Sequence, residues 1–221
     1  IELASYKQDG KFALENICEM LGAKKISKEI LPENKIQAPL TGDLTPENLG
    51  LLIAELLPED SIISDEAATS GFLVHPNTWN AKPHDWMSLT GGSIGQGLPL
   101  ATGAAIACPD RPVICFHGDG GAMYTIQSLW TQARENLNVT NIIFSNKAYA
   151  ILQIELERVG ALQTGSRAQS LFSLDNPELN WKSLSSSMGV KAKTTLTVEE
   201  FRKEFSSAVN EPGPTLLEVR I

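Results

Sequence analysis

Two apolar segments, each followed by a residue with an oxygen ligand, constrain the fold of this 221-residue chain more than any other feature. Segment 112–117 runs into Gly118-Asp119-Gly120, and segment 139–145 runs into Asn146, 27 positions after Asp119. A helical pattern over 124–136 separates them, which predicts a strand–loop–helix–strand unit. Parallel neighbouring strands would bring the carboxylate and the carboxamide into one crevice, the usual ligand position in an open α/β sheet. Such oxygen ligands suit Mg²⁺ or Ca²⁺.

Strand and helix patterns alternate through the rest of the chain. Thr45-Pro46-Glu47 is a helix start, because threonine caps, proline suits the first turn and glutamate favours the helix dipole. Further patterns predict helices over 98–108, 149–159, 181–188 and 198–209, and strands over 61–64, 190–193 and 216–219. The alternation predicts an α/β fold, with three α/β/α layers and a mainly parallel sheet covered on both faces.

The first 43 residues differ from the remainder. They hold one helical pattern, over 12–21, and then a polar stretch marked by prolines, over 27–41. We interpret 1–43 as a linker or the tail of a preceding domain, and 44–221 as the domain that carries the site. Because the chain begins at Ile1 without an initiator methionine, we expect it to be a fragment of a longer polypeptide.

Composition excludes several classes of function. The net charge of −8 and the isoelectric point near 4.9 argue against binding of a nucleic-acid backbone over a broad surface. The three cysteines lie far apart and form no zinc or disulfide pattern, as expected of free thiols in a reducing compartment. No stretch approaches the roughly 18 apolar residues of a membrane span, and no signal peptide is recognisable. These features predict a cytoplasmic protein without nucleic-acid or membrane partners.

The motif Gly118-Asp119-Gly120 followed by Asn146 resembles the thiamin diphosphate motif of the pyruvate decarboxylase superfamily. Residues 118–133 are similar to the matching segment of benzoylformate decarboxylases. Residues 65–70 and 91–99 also resemble benzoylformate decarboxylases and acetolactate synthases. Three motifs in the right order, within a similarity that runs from about 44 to 221, imply the thiamin diphosphate-binding fold and the cofactors thiamin diphosphate and Mg²⁺.

The resemblance assigns metal ligands and cofactor contacts. It implies that Asp119, Asn146 and the backbone carbonyl of Ala148 hold Mg²⁺. Ala68 lacks the hydroxyl group that the family often has at its position. The residues implied to contact the cofactor are Ala68, Thr69, Gly92, Ser93, Ile94, Gly118, Asp119, Gly120, Gly121, Asn146, Ala148, Tyr149, Ala150 and Ile151.

Two residues of the glycine-rich loop are assigned to catalysis by the same resemblance. The bulky Ile94 would bend the cofactor so that its aminopyrimidine reaches C2 of the thiazolium, and the carbonyl of Gly92 would accept from the 4′-amino group. Ile151 and Leu152 would contact the substrate, whereas Glu155 departs from the aromatic residue of the relatives. We place His117 in the crevice wall, and we expect His75 and His84 on a surface loop.

The implied reaction is decarboxylation of a 2-oxo acid, followed by protonation or by attack on a second carbonyl. The family's activating glutamate comes from a pyrimidine-binding domain, across a subunit interface, and this chain has no match to that domain. We therefore expect that partner domain, a homo-oligomer and an exposed apolar patch around Ile94, Leu98 and Ile151. Decarboxylase and acetolactate synthase-like carboligase remain open, as does which 2-oxo acid is used.

Two other functional classes remain to be compared with these residues: a non-catalytic cofactor-binding module and a dinucleotide-binding domain. A catalytically inactive thiamin-binding module would explain the fold, although the joint presence of Asp119, Asn146 and Ile94 speaks against decay of the site. A dinucleotide-binding domain requires G-x-G-x-x-G after the first strand and an acidic residue about twenty positions later. The run from Gly118 to Met123 lacks the third glycine, so the sequence disfavours this interpretation.

Overall fold

The computed structural model describes residues 4–5, 7–24, 37–161 and 165–221. The chain divides into two compact units, Ile1–Asn34 and Lys35–Ile221. The first contains helix α1 (Gly10–Met20), where Asp9 caps the helix by accepting from the N–H groups of Lys11 and Phe12. This confirms the helix expected over 12–21. Most of the polar stretch 27–41 lies outside the described residues, and the domain boundary at 43/44 stays a prediction.

The second unit alternates strands and helices, as the sequence predicts. Its strands are β1 (Ser61–Glu66), β2 (His84–Ser88), β3 (Val113–Gly118), β4 (Val139–Ser145), β5 (Lys191–Thr195) and β6 (Thr215–Arg220). Its helices are α2 (Pro46–Leu56), α3 (Val74–Thr78), α4 (Gly97–Ala107), α5 (Asp119–Ala122), α6 (Ser128–Arg134), α7 (Ala150–Arg158), α8 (Ser166–Ser170), α9 (Trp181–Ser187) and α10 (Val198–Ala208).

The six strands form one parallel sheet in the order β2-β1-β3-β4-β6-β5. The central strands β3 and β4 are buried along almost their whole length, whereas the outermost strands alternate with exposed positions. Strand order reverses between β1 and β3, because the chain leaves β1 for the edge strand β2 and returns on the other side of β1. Open α/β sheets bind ligands at such a reversal, outside the carboxyl ends of the strands.

Helices cover both faces of the sheet, which confirms the three-layer α/β/α arrangement. One face packs against α2 and α10 through a cluster that includes Leu52, Phe201 and Phe205. The other packs against α4, α6 and α9 through a cluster that includes Leu98, Leu129 and Trp181. Within the described residues, no helix is both long enough and apolar enough to cross a membrane.

One polar network lies within the second face of the core. Asn141 on β4 donates to the Gln132 side chain and to the Thr215 carbonyl, at 2.8 and 3.0 Å. Gln132 also donates to the Thr102 hydroxyl at 3.1 Å. Buried polar groups are tolerated when they are bonded in this way, so the network joins α4, α6, β4 and β6 without a role at the candidate site.

The structure departs from the sequence-based expectations at several elements. The segment that contains His84 was expected to be a surface loop, but it is the edge strand β2, paired with β1. His75, expected in the same loop, lies in α3. The helix expected from 124 begins at Ser128, because the residues between α5 and Ser128 form successive turns. Strand β1 continues to Glu66, two residues beyond its expected end.

Candidate functional site

A cleft of about 420 Å³ opens at the carboxyl ends of β1, β3 and β4, where the strand order reverses. Of the residues predicted to contact the cofactor, twelve line it: Ala68, Thr69, Ile94, Gly118, Asp119, Gly120, Gly121, Asn146, Ala148, Tyr149, Ala150 and Ile151. Gly92 and Ser93 lie in the loop beside it and are not among the lining residues. Their implied contacts with the cofactor remain predictions.

The cleft also contains residues that the sequence analysis did not assign to it. Ser70, Leu89, Tyr124 and Leu171 line it, together with the buried carboxylate Glu66. Leu89 and Leu171 belong to segments outside the recognised motifs, and Tyr124 was placed in a helix rather than at a cleft. No motif signals Leu89 or Leu171, because their position depends on how the loops fold over the strand ends.

Asp119 is the central charged group of the cleft. It begins α5 directly after β3, and only 3% of its surface is exposed. One carboxylate oxygen accepts from the N–H of Gly120 at 2.9 Å, and the other accepts from the N–H of Lys147 at 2.7 Å. Burial raises the pKa of the Asp119 carboxyl above its ordinary value, while these two N–H groups act to lower it. A nearby cation would stabilise such a buried negative charge.

Asn146 lies beside Asp119 at the end of β4, as the spacing predicts. Its amide group donates to the Ser70 hydroxyl at 2.9 Å, and its amide oxygen accepts from the N–H of Ala148 at 3.0 Å. Lys147 adopts a left-handed backbone conformation with φ of 56°, which directs its N–H to Asp119. The carboxylate and the carboxamide are therefore joined through two consecutive backbone amides.

The backbone around Ala148 is fixed by a bridge to a later segment. Ala148 and Ser173 form an isolated antiparallel bridge. The residues on either side carry its hydrogen bonds: Leu174 N–H donates to the Lys147 carbonyl, and Tyr149 N–H donates to the Phe172 carbonyl, each at 2.8 Å. Because peptide groups alternate in direction along an extended segment, the Ala148 carbonyl points to the opposite side. Ala148 lines the cleft together with Asn146 and Asp119.

Gly120 is required by close packing. A Cβ atom at Gly120 would lie 2.5 Å from Cε1 of Tyr149, whereas a Cβ atom at Gly118 would meet nothing within 4 Å. Tyr149 thus covers the backbone of Gly120 directly. The two glycines of the motif therefore differ, since a side chain at position 120 would force Tyr149 to move and one at position 118 would meet open space.

We expect Gly120→Ala to destabilise the chain by about 1–3 kcal/mol, the usual cost of overpacking a close contact. The matched variant Gly118→Ala should change stability by less than about 0.5 kcal/mol. Urea unfolding of the two variants measures the difference. Equal losses in both variants would contradict the role assigned to Tyr149.

The glycine-rich loop 91–97 is exposed over 91–94 and becomes buried at Gly95 and Gly97. Gly91, Gly92 and Gly95 adopt positive φ angles of 60°, 73° and 95°, which favour glycine. Ile94 is 53% exposed and lines the cleft. Its N–H donates to the carbonyl of Gly92 at 2.9 Å, so the carbonyl assigned to the 4′-amino group already accepts one backbone hydrogen bond. A carbonyl oxygen has two lone pairs, and Gly92 retains capacity for a second donor.

A buried pair, Glu66 and His117, lies beneath this loop. The glutamate oxygens accept from the N–H groups of Gly95 and Gly97, and Nε2 of His117 lies 3.1 Å from Oε2. Nε2 of His117 and Oε2 of Glu66 are within ion-pair distance, but their geometry does not meet the angles of a hydrogen bond. Burial acts to raise the pKa of Glu66, but His117 and the two amides outweigh it, so the pKa is lowered. His117 was expected in the crevice wall, and its side chain is fully buried behind it.

Two other expectations have clear outcomes. Glu155, which departs from the relatives' aromatic residue, does not line the cleft and accepts from Arg158 on the exposed side of α7. Leu98, expected in an exposed apolar patch with Ile94 and Ile151, is fully buried in the core. That expectation was wrong, because α4 turns Leu98 toward the sheet. Ile94 and Ile151 are exposed at 53% and 42%.

Other candidate sites receive no support within the described part of the chain. No group of three or more His, Cys, Asp or Glu side chains there is arranged to hold a metal ion. The cluster around Asp119 differs because its other candidate donors are an amide and a backbone carbonyl. Cys18, Cys108 and Cys115 are free thiols, and burial raises the pKa of Cys115.

Comparison with known proteins shows which family shares these features. The sequence profile of the thiamine pyrophosphate enzyme C-terminal TPP binding domain matches residues 67–219. The chain is 49% identical over 180 residues to the Mycobacterium tuberculosis protein named "Putative acetolactate synthase large subunit IlvX", covering 81% of this chain and 35% of the relative. It is 31% identical over 191 residues to benzoylformate decarboxylase of Pseudomonas aeruginosa, covering 86% and 35%.

A solved structure with a similar fold is the thiamine diphosphate-dependent 4-hydroxybenzoylformate decarboxylase of Rhodococcus jostii RHA1. The TM-score is 0.77 with 29% sequence identity, over 95% of this chain and 38% of that one. The chain thus spans 35% of the length of each of these two curated relatives.

Proposed function

The chain belongs to the thiamine pyrophosphate enzyme family as a C-terminal TPP binding domain, and from this we propose that its cleft holds the diphosphate of the cofactor through Mg²⁺. The observation that supports the proposal is that Asp119, Asn146 and Ala148 line one cleft, where Asp119 accepts from the N–H of Lys147 and Asn146 accepts from the N–H of Ala148. All three donors are oxygens, the type that Mg²⁺ prefers. The buried Asp119 carboxylate meets only backbone N–H donors among its described hydrogen bonds, which leaves its charge to be balanced by a cation.

Small residues at the strand ends suit a bound diphosphate. Gly118 leaves open space where a side chain would project, and Thr69 and Ser70 add hydroxyl groups to the lining of the cleft. We expect the Thr69 hydroxyl and the backbone N–H groups of Ala68 and Gly121 to donate to phosphate oxygens. The Ser70 hydroxyl accepts a hydrogen bond from the Asn146 side-chain amide and so helps to hold Asn146 in place.

The exposed side chain of Ile94 suits the role of the residue that bends the cofactor. It projects into the cleft between the glycines at 92 and 95, which allow the backbone to approach a ring closely. When bound, thiamin diphosphate supplies an electron sink for decarboxylation of a 2-oxo acid. The part of the protein described here would bind the diphosphate, orient the rings and line the substrate space with Ile151, Leu152 and Tyr124.

We expect Ile94→Ala to slow hydrogen–deuterium exchange at C2 of the bound cofactor by about 10- to 100-fold, because misplacing a reacting group by about 1 Å has effects of this size. The affinity for thiamin diphosphate should change little, since the metal and diphosphate contacts remain. The matched control is Ile106→Ala, an isoleucine that is 58% exposed on α4 and outside the cleft. Wild-type exchange in Ile94→Ala would remove this role from Ile94.

The comparisons support two candidate reactions. Benzoylformate decarboxylase-like cleavage of a 2-oxo acid is favoured by the solved structure with TM-score 0.77. Acetolactate synthase-like carboligation is favoured by the relative that is 49% identical. A non-catalytic cofactor-binding module is the distant alternative. We further propose a pyrimidine-binding partner domain, from the same polypeptide or another chain, a homo-oligomer and a cytoplasmic location.

One assay tests the function and separates the two reactions. The enzyme assembled with its pyrimidine-binding domain is supplied with thiamin diphosphate and Mg²⁺, and with pyruvate or benzoylformate in turn. Aldehyde formation from benzoylformate identifies a decarboxylase, and acetolactate formation from pyruvate identifies a carboligase. Cofactor binding without either product and without hydrogen–deuterium exchange at C2 of the bound cofactor would support the non-catalytic module. Absence of Mg²⁺-dependent binding would overturn the proposal.

A further inference from the structure

Glu66 is held by contacts on both of its carboxylate oxygens. It is the last residue of β1, and its side chain is almost fully buried. Oε1 accepts from the N–H of Gly95 and Oε2 accepts from the N–H of Gly97, each at 2.5 Å. Hydrogen bonds to an ionised acceptor are short and about twice as strong as those between neutral groups. The carboxylate therefore fixes two alternate amides of the glycine-rich loop.

The loop is anchored at the point where it enters the core. Gly91 to Ile94 are exposed, and Gly95 and Gly97 are buried. The carbonyl of Gly95 accepts from the Thr125 hydroxyl at 2.8 Å, and the carbonyl of Gly97 accepts from the Ser64 hydroxyl at 2.8 Å. Ile94 thus immediately precedes a residue whose N–H and carbonyl are both bonded to side chains from other segments.

His117 connects this anchor to the loop that follows β3. Its ring lies against Glu66, and a Cβ atom at Gly97 would approach the ring to 2.9 Å. A Cβ atom at Gly121 would approach the same ring to 2.9 Å and Oε1 of Glu66 to 3.4 Å. The pair is therefore packed between the glycine-rich loop and the Gly118–Gly121 turn, with no space on either side for a larger residue.

We infer that Glu66, supported by His117, is a positioning residue that fixes Ile94 relative to the Gly118–Gly121 turn. The inference rests on the proposed role of Ile94 in bending the cofactor. A flexible glycine loop would otherwise sample many conformations, because glycine has the largest backbone freedom. Glu66 acts through Gly95 and Gly97, and its oxygens are directed at the protein backbone rather than at the open cleft.

Amide hydrogen exchange of the chain tests directly whether Glu66 holds the Gly95 and Gly97 amides. In Glu66→Gln, one oxygen becomes an NH₂ group that faces an N–H donor, so one bond is lost. We expect the amides of Gly95 and Gly97 to exchange at least about tenfold faster, while the amide of Ile114 in β3 is unchanged. The matched control is Glu59→Gln, which alters an exposed glutamate before the opposite end of β1. Unchanged exchange at both glycines would overturn the inference.

The catalytic consequence is measured in the assembled enzyme. We expect Glu66→Gln to slow C2 exchange of bound thiamin diphosphate about tenfold or more, with cofactor affinity within about threefold of wild type. A purely structural residue would lower the melting temperature and leave C2 exchange unchanged, and that result would contradict the positioning role. If Glu66→Gln fails to fold, Glu66→Asp replaces it, because the shorter carboxylate can reach only one of the two amides.

These outcomes separate the inference from the proposed function. If the wild-type enzyme binds no thiamin diphosphate, the proposed function fails, and amide exchange at Gly95 and Gly97 still decides whether Glu66 fixes the loop. If the wild type binds the cofactor and Glu66→Gln exchanges at C2 at the wild-type rate, the function stands and the positioning role is rejected.

Discussion

Replacement of Asp119 by alanine is expected to weaken Mg²⁺-dependent binding of thiamin diphosphate by more than about 100-fold. Loss of a residue that merely supports a metal ligand typically costs 10- to 100-fold in affinity, and Asp119 is proposed to be a ligand itself. It is also the one carboxylate bonded to the N–H of Lys147, so its loss releases the 146–148 segment that carries the other two donors. Calorimetric titration of the assembled enzyme, with and without Mg²⁺, measures the effect.

The matched control is Asp110→Ala. Asp110 is an exposed aspartate just before the amino end of β3, whereas Asp119 follows its carboxyl end. Circular dichroism establishes that both variants fold. Asn146→Ala should weaken binding in the same direction, because it removes a neutral donor and the bond to Ser70. Wild-type, Mg²⁺-dependent affinity in Asp119→Ala would remove the metal site from this position.

The central part of the site could be predicted from the sequence. Asp119 and Asn146 each follow an apolar run, and the two runs become the neighbouring strands β3 and β4. Because neighbouring parallel strands end at the same edge of the sheet, residues that directly follow them lie close together in space. The positions of Asp119 and Asn146 after two such strands are therefore enough to predict that they are neighbours. The same logic places Ala68 and Thr69 after β1, which lies on the other side of β3.

Strand β2 was not predictable from its residues. The sequence His-Asp-Trp-Met-Ser follows a proline and lacks a continuous apolar run, because an edge strand is buried on one side only. Its place next to β1 is decided by pairing with Ser61–Asp65 and by packing of Trp86 against Phe116, which are interactions between distant segments.

The role of Glu66 was hidden for a different reason. Its partners are the backbone amides of Gly95 and Gly97. Nearly every residue has a backbone N–H, so the sequence does not indicate which of them a side chain will bind. Glu66 lies in the motif over 65–70, which the resemblance assigns to cofactor contacts at Ala68 and Thr69 but not at Glu66. The structure shows both oxygens accepting from the loop, which is a positional role.

This chain alone is expected to show no turnover of pyruvate or benzoylformate with added thiamin diphosphate and Mg²⁺, and to bind little cofactor. Among the residues that line the cleft, the carboxylates are Glu66 and Asp119. The oxygens of both accept from backbone N–H groups. Because both carboxylates are bonded to the backbone in this way, we expect the group that activates the pyrimidine ring to come from the proposed pyrimidine-binding domain.

The cleft surface supports the same expectation. Ile94, Tyr124 and Leu171 are large apolar side chains that are exposed at 53%, 62% and 72% beside the cleft. Exposed apolar surface of this kind marks interaction sites, and association of identical chains usually follows a two-fold axis. We therefore expect the chain to self-associate.

Turnover assays test the expected lack of activity, with the chain plus its pyrimidine-binding domain as the active control, and molar mass by light scattering tests the self-association. Robust decarboxylation by the 221-residue chain alone would mean that the activating base lies within it. Glu66, released from Gly95 and Gly97, would then be the first residue to replace.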